Sequence, residues 1–167
     1  MFYGGVLIWF ILGLLSFILP EKLNAYVYLA STGIFFPVGI LVSKLMKIDF
    51  FVKGNPLSSL GGLLGALQLF FAPLLIMVGF EHHEWIPFVV GVLTGAHFLP
   101  FVWVYDSKAM MFQTIATVTV STLVGLVFIE FALTLVPFSL MFVYFITAML
   151  IRKEVTDLKV QIQSSVT

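Results

Sequence analysis

The chain has no cysteine, few charges, and no segment in which apolar and polar residues alternate. Without cysteine there are neither disulfides nor thiolate metal sites. Charged residues make up 10% of the chain against 61% hydrophobic, and mean hydropathy is +1.16. A soluble domain carries about 25% charge, so the solvent for most of these side chains is hydrocarbon. Because no period-two alternation is present, a membrane β-barrel is excluded. Eight Lys and Arg are balanced by eight Asp and Glu, which leaves no basic surface for a nucleic acid. The carboxylates all fall in loops or at span ends, and there is no nucleophile elbow or phosphate-binding glycine loop. The pattern therefore implies no catalytic constellation, no cofactor and no resident metal.

What remains is long apolar runs. Inside lipid every backbone amide must be paired within its own segment, so runs of about 20 apolar residues are spanning helices. Six are predicted, forming an all-α integral membrane bundle. The first runs from about Phe2 to Leu19 and stops at Pro20-Glu21-Lys22-Leu23-Asn24. The second runs from about Ala25 to Val42 and stops at Ser43-Lys44. The third opens at Asn55-Pro56, a capping residue followed by a proline at the first helical position, and continues to Phe80. Glu81-His82-His83-Glu84 breaks the run, Trp85 marks the headgroup level, and the fourth span covers Ile86 to Tyr105 before Asp106-Ser107-Lys108. Met110 to Ile151 holds two more spans, with the turn placed near Glu130 to Leu135. Residues 1–151 are thus the transmembrane domain. Residues 152–167 are a short cytoplasmic tail, read as a solvated helical extension.

Charge orients the bundle. With six spans, Lys44, Lys47, Lys53, Lys108, Arg152, Lys153 and Lys159 share one side, and Lys22 alone lies opposite. The positive-inside rule then puts both termini in the cytoplasm and the His82-His83 loop outside, in a multi-pass plasma (inner) membrane protein. Five spans would separate the two basic clusters. The first span has no positive flank and no small-residue cleavage site, so it is expected to remain as a helix rather than be removed as a signal peptide.

An internal repeat is faintly visible. Thr32-Gly33, Phe35 and Pro37 recur as Thr94-Gly95, Phe98 and Pro100, and Gly4-Gly5-x-Leu7 recurs as Gly61-Gly62-x-Leu64. Two tandem helical hairpins are one reading, chance matching among apolar residues the other. The string Ser43-Lys44-Leu45, then Asn55-Pro56-Leu57, then Thr94-Gly95-Ala96-His97-Phe98 with Pro100, Trp103 and Tyr105 resembles an uncharacterised family of small bacterial polytopic membrane proteins. The likeness covers somewhat under half the chain. It implies a bacterial plasma-membrane protein and brings no activity, substrate or cofactor; the family pattern also has a polar segment before the first span, which this sequence lacks.

Few residues inside the spans can carry chemistry. Strongly polar side chains in a span are costly and face the bundle interior. His97 and Gln68 fall near the bilayer midplane, with Thr32, Thr119 and Tyr144 at similar depth and Thr94 one turn before His97. Such a layer is a binding site for a small solute or proton, a water pocket, or an interhelical hydrogen-bond network. Pro100 frees the Ala96 carbonyl beside His97, and Pro73 frees the Leu69 carbonyl beside Gln68. Four consecutive residues cannot converge on one tetrahedral ion, so Glu81 to Glu84 read as a solvated turn with external pH sensing as a lesser alternative. Gly61-x-x-x-Gly65 and Gly91-x-x-x-Gly95 permit close helix approach, within one bundle or in a homo-oligomer. Lys44, Lys47 and Lys53 among apolar neighbours suit an amphipathic segment on the inner leaflet. Two function classes compete: a small-solute or proton-linked transporter or channel, and a non-catalytic scaffold or accessory subunit. The bilayer is the partner in both.

Overall fold

A computed structural model describes residues 2–45 and 56–166, and these are helical with short turns. The helices are α1 (Phe2–Leu15), α2 (Glu21–Leu45), α3 (Pro56–Leu67), α4 (Ala72–Glu81), α5 (Ile86–Tyr105), α6 (Lys108–Val127) and α7 (Ala132–Val166). A single 3₁₀ turn over Gln68–Phe71 joins α3 to α4, so the seven helices form six rods. Among the described residues, four stretches are long and apolar enough to cross a bilayer: Ser59–Glu81, His83–Tyr105, Lys108–Val127 and Ile129–Ser165. Phe2–Leu15 is a shorter apolar helix. The cap expected at Asn55 and the basic residues Lys47 and Lys53 lie outside the described residues.

Element ends differ from expectation for local reasons. The first helix stops at Leu15 and the chain tightens into turns over residues 16–18, where the Phe17 and Ile18 amides donate to the Leu14 and Leu15 carbonyls at 3.1 Å ahead of Pro20. Glu21 to Asn24, expected as loop, are instead the first turn of α2. The Pro20 carbonyl accepts from the Asn24 amide at 2.9 Å, and Glu21 sits where the helix dipole favours negative charge. The turn between the last two rods falls at residues 128–131, slightly earlier than expected. At Pro73 the break takes a definite form. The Leu69 carbonyl that proline cannot serve accepts instead from the Ala72 amide, closing the 3₁₀ turn. Helix α5 passes through Pro100 without a break.

Two helices organise the bundle. Helix α7 packs on α1, α5 and α6, while α5 also touches α2, α3 and α4. Half of the His83–Tyr105 span is buried, against 11% of Ser59–Glu81, so the α3–α4 rod is peripheral. Glycines set the closest seams. A Cβ on Gly91 would run into Ser121, one on Gly95 into Val118, and one on Gly125 into Phe88, so α5 and α6 meet nearly backbone to backbone. Between α1 and α7 the glycines instead admit rings, Gly5 that of Tyr144 and Gly13 that of Phe138. The Gly91-x-x-x-Gly95 ladder is therefore filled from within the chain. The repeated letters hold different places: Gly95 is closely packed, whereas among the described residues nothing lies within 4 Å of a Cβ at Gly33.

Candidate functional site

The inward face of α5 carries Ile86, Val90, Thr94, the adjacent pair His97 and Phe98, and Phe101, steps of three or four residues that keep one helical stripe. His97 is only 6% exposed, with its ring 5.5 Å from Phe101 and 5.7 Å from Phe98. Phe98 touches Tyr144 of α7 at 6.0 Å and Phe2 of α1 at 5.8 Å. Trp9 of α1 in turn meets Tyr144 at 6.0 Å and Tyr28 of α2 at 5.6 Å. An aromatic core thus ties α1, α2, α5 and α7 together, with the imidazole at its margin. His97 Nδ1 has no hydrogen-bond partner among the described residues.

The residues expected to form a midplane layer separate by burial. Thr94, His97 and Tyr144 are in the core. Gln68 is half-buried in the 3₁₀ turn, and Thr32 is half-buried with its hydroxyl donating to the Leu29 carbonyl at 2.7 Å. Thr119 is exposed on the outer side of α6. The inward stripe of that helix is Gln113, Thr117 and Ser121, and a residue two beyond Thr117 is rotated by roughly 200°.

That stripe is a polar feature the reading of the sequence passed over. Gln113, Thr117 and Thr147 are each fully buried. Gln113 Nε2 donates to Thr117 Oγ1 at 3.0 Å, and the single hydroxyl proton of Thr147 lies between Gln113 Oε1 at 2.6 Å and the Val143 carbonyl at 2.8 Å. The network locks α6 to α7. The i, i+4, i+8 spacing of Gln113, Thr117 and Ser121 was the available signal. Thr114 Oγ1 and Ser121 Oγ are buried without partners among the described residues.

The other concentration of polar groups is at the end where three turns meet. Glu21, His83, Glu84, Ile129 and Glu130 line a cleft of about 360 Å³. His83 Nε2 is 3.8 Å from Glu21 Oε1 and its Nδ1 is 3.6 Å from Glu84 Oε2. His82 stacks on Trp85 at 5.3 Å and lies 3.2 Å from Glu84. The two histidines thus part company: His82 is exposed, and His83 reaches across to the start of α2.

At the opposite end, Ser107 caps α6, accepting from the Met110 amide at 3.2 Å while donating to Glu154 Oε2 at 2.6 Å. Glu154 Oε1 accepts from the Ala109 amide at 2.8 Å. A carboxylate from α7 therefore closes the amino terminus of α6, where the dipole favours it.

Residues 1–154 match a family of unknown function (DUF7010), and the chain belongs to that family. No curated protein and no solved structure matches it. The family match extends well past the Thr94 to Tyr105 string and, like that string, brings no activity.

Proposed function

We propose that this protein is a six-span plasma-membrane bundle, with both termini in the cytoplasm, that passes a proton or small polar solute through a midplane site centred on His97. Residues 1–151 are the membrane domain in this reading, and residues 152–167 are its cytoplasmic tail. In this reading Thr94, one turn before the histidine, and the buried Tyr144 belong to the site, together with the half-buried Gln68 and Thr32. Thr119 has no part in it.

One observation carries the reading. His97 is buried in an otherwise aromatic core, and its Nδ1 has no hydrogen-bond partner among the described residues. Buried polar atoms are almost always satisfied, and an orphan inside a membrane span costs on the order of 1–3 kcal/mol. A group that only glued helices together would recover that energy by meeting a neighbour, as Gln113 does with Thr117 and Thr147. A ring nitrogen left open serves a visiting water, proton or solute.

The scaffold reading rests on the Gln113 network and the glycine seam between α5 and α6, both of which serve packing. The two readings separate in proteoliposomes carrying an internal pH-sensitive dye. Under an imposed pH gradient, His97→Gln should keep the fold and abolish flux, and His97→Leu should lose flux together with thermal stability. Unchanged flux in His97→Gln overturns the midplane site and leaves the scaffold.

A further inference from the structure

The face of α2 that turns into the bundle carries Glu21, Asn24, Tyr28 and Ser31, spaced by three, four and three residues. Such spacing keeps side chains on one helical stripe. Glu21 opens this line in the outer cleft, 3.8 Å from His83. Asn24 is 1% exposed and Tyr28 fully buried, and neither Asn24 Oδ1 nor the Tyr28 hydroxyl has a hydrogen-bond partner among the described residues. At about 1.5 Å per residue they lie about 4.5 and 10.5 Å deeper than Glu21. Tyr28 and Tyr144 both pack on Trp9, and Tyr144 and His97 both pack on Phe98. His97, eleven residues into α5, is about 16 Å from the same end, close to the middle of a hydrocarbon core about 30 Å thick. Orphaned polar atoms therefore lie at successive depths between the acidic cleft and His97, with the rings of Trp9, Tyr144 and Phe98 between Tyr28 and the imidazole.

We infer that this face of α2 is the proton entry path to His97, with water bridging the polar groups. The inference rests on the midplane reading above and adds the ion and its route. The Glu21–His83 pair and its neighbours Glu84 and Glu130 collect protons in the cleft. Lys22 is the lone cation in the first turn of α2, and Glu81 and His82 complete the titratable groups of the adjoining turn. Asn24 Oδ1 accepts from a bridging water and holds it in place. The Tyr28 oxygen takes a proton on a lone pair and gives up its own to the next water. His97 Nδ1 receives that proton on its lone pair, and the imidazolium later releases it on the other side. One proton enters, one leaves, and no bond is broken except O–H and N–H. A buried water needs two to four polar partners and a space of about 10–15 Å³, and the path supplies the partners.

The test uses the full chain in proteoliposomes with an internal pH dye, driven by a potassium gradient and valinomycin. Tyr28→Phe keeps the ring against Trp9 and removes only a hydroxyl that no described residue bonds, so melting should change little. Its proton flux should nevertheless fall by about tenfold, and Asn24→Leu should lower flux by a similar factor. Tyr26→Phe, on the other side of the same helix, is the control expected to match the parent. Parental flux in Tyr28→Phe, with flux abolished in His97→Gln, would show that protons enter elsewhere and overturn the path while leaving the midplane site. If parental vesicles carry no protons, or His97→Gln is silent as well, the path falls together with the reading beneath it.

Discussion

Gly91 shows how little room single residues have in this bundle. A methyl group there would overlap Ser121 Oγ and crowd its Cβ, and the neighbouring contact of Gly95 is with the backbone of Val118, which cannot swing away. Alanine has a helix propensity about 1 kcal/mol better than glycine, but overpacking of a filled seam costs about 1–3 kcal/mol and dominates here. Gly91→Ala should therefore lower the detergent melting temperature by a few degrees, at about 2–4 °C per kcal/mol for a chain of this size. Because the obstruction is Ser121, Ser121→Gly in the same chain should restore part of the loss, a coupling that a thermal double-mutant cycle reads directly. Equal losses in Gly91→Ala with and without Ser121→Gly would show that the seam is looser than described. At this scale the sequence disclosed which residues are costly in lipid but not where they point. His97 and Thr94 are inside, as their cost demands, yet Thr119 is outside and Gln113 inside. In α6 polar residues lie on both sides, Thr119 outside and the Gln113, Thr117, Ser121 stripe inside, so polarity alone does not set the helix phase and only the i, i+4, i+8 spacing pointed inward.

The ends of α6 and α7 illustrate how elements are fastened to each other. Helix α7 runs unbroken from Ala132 to Val166, longer than a bilayer requires, and its first turn beyond the apolar run supplies Glu154 to the amino terminus of α6. The α5–α6 turn that receives it is tightly shaped. Asp106 adopts φ 45°, and the Ser107 amide reaches back to the Val102 carbonyl at 3.2 Å, so a left-handed residue ends α5 and the next residue caps α6. Glu154→Gln retains an acceptor but loses the charge facing the helix end, and should cost about 0.5–1 kcal/mol. Glu154→Ala removes both acceptor oxygens and should cost about 1–2 kcal/mol. Chemical exchange of the Ala109 and Met110 amides should quicken more in the alanine variant than in the glutamine variant, and the reverse order would remove Glu154 from the cap. None of this was legible beforehand, because a charge 45 or more residues away from its partner looks like part of a solvated tail. Turn positions were more readable. Proline, glycine and charge punctuate the apolar runs, and the breaks at residues 16–20, 82–85 and 128–131 all fall within a few residues of such punctuation.

For the whole molecule the decisive property is which end of the bundle faces which compartment. Glu21, His83, Glu84 and Glu130 come from three separate turns and line one cleft, so those turns share an end. Lys108, Arg152, Lys153 and Lys159 belong to the other, where Glu154 meets the α5–α6 turn. Among the described residues the second end thus holds every Lys and Arg but Lys22, together with Asp106, Glu154 and Asp157, and it is this asymmetry of Lys and Arg from which the positive-inside rule assigns that end to the cytoplasm. The entry path along α2 depends on that assignment, since a proton must find the acidic cleft on the side from which it is driven. The chain has no cysteine, so every introduced thiol reports alone. A cysteine at position 82, where the native histidine side chain is exposed, should react with a membrane-impermeant maleimide in intact cells. One at position 153 should react only after the membrane is permeabilised. The opposite pattern would invert the bundle and place the cleft in the cytoplasm. Labelling of both positions from outside would break the even number of spans, since α5, α6 and α7 lie between the two sites and an odd number of crossings must separate them.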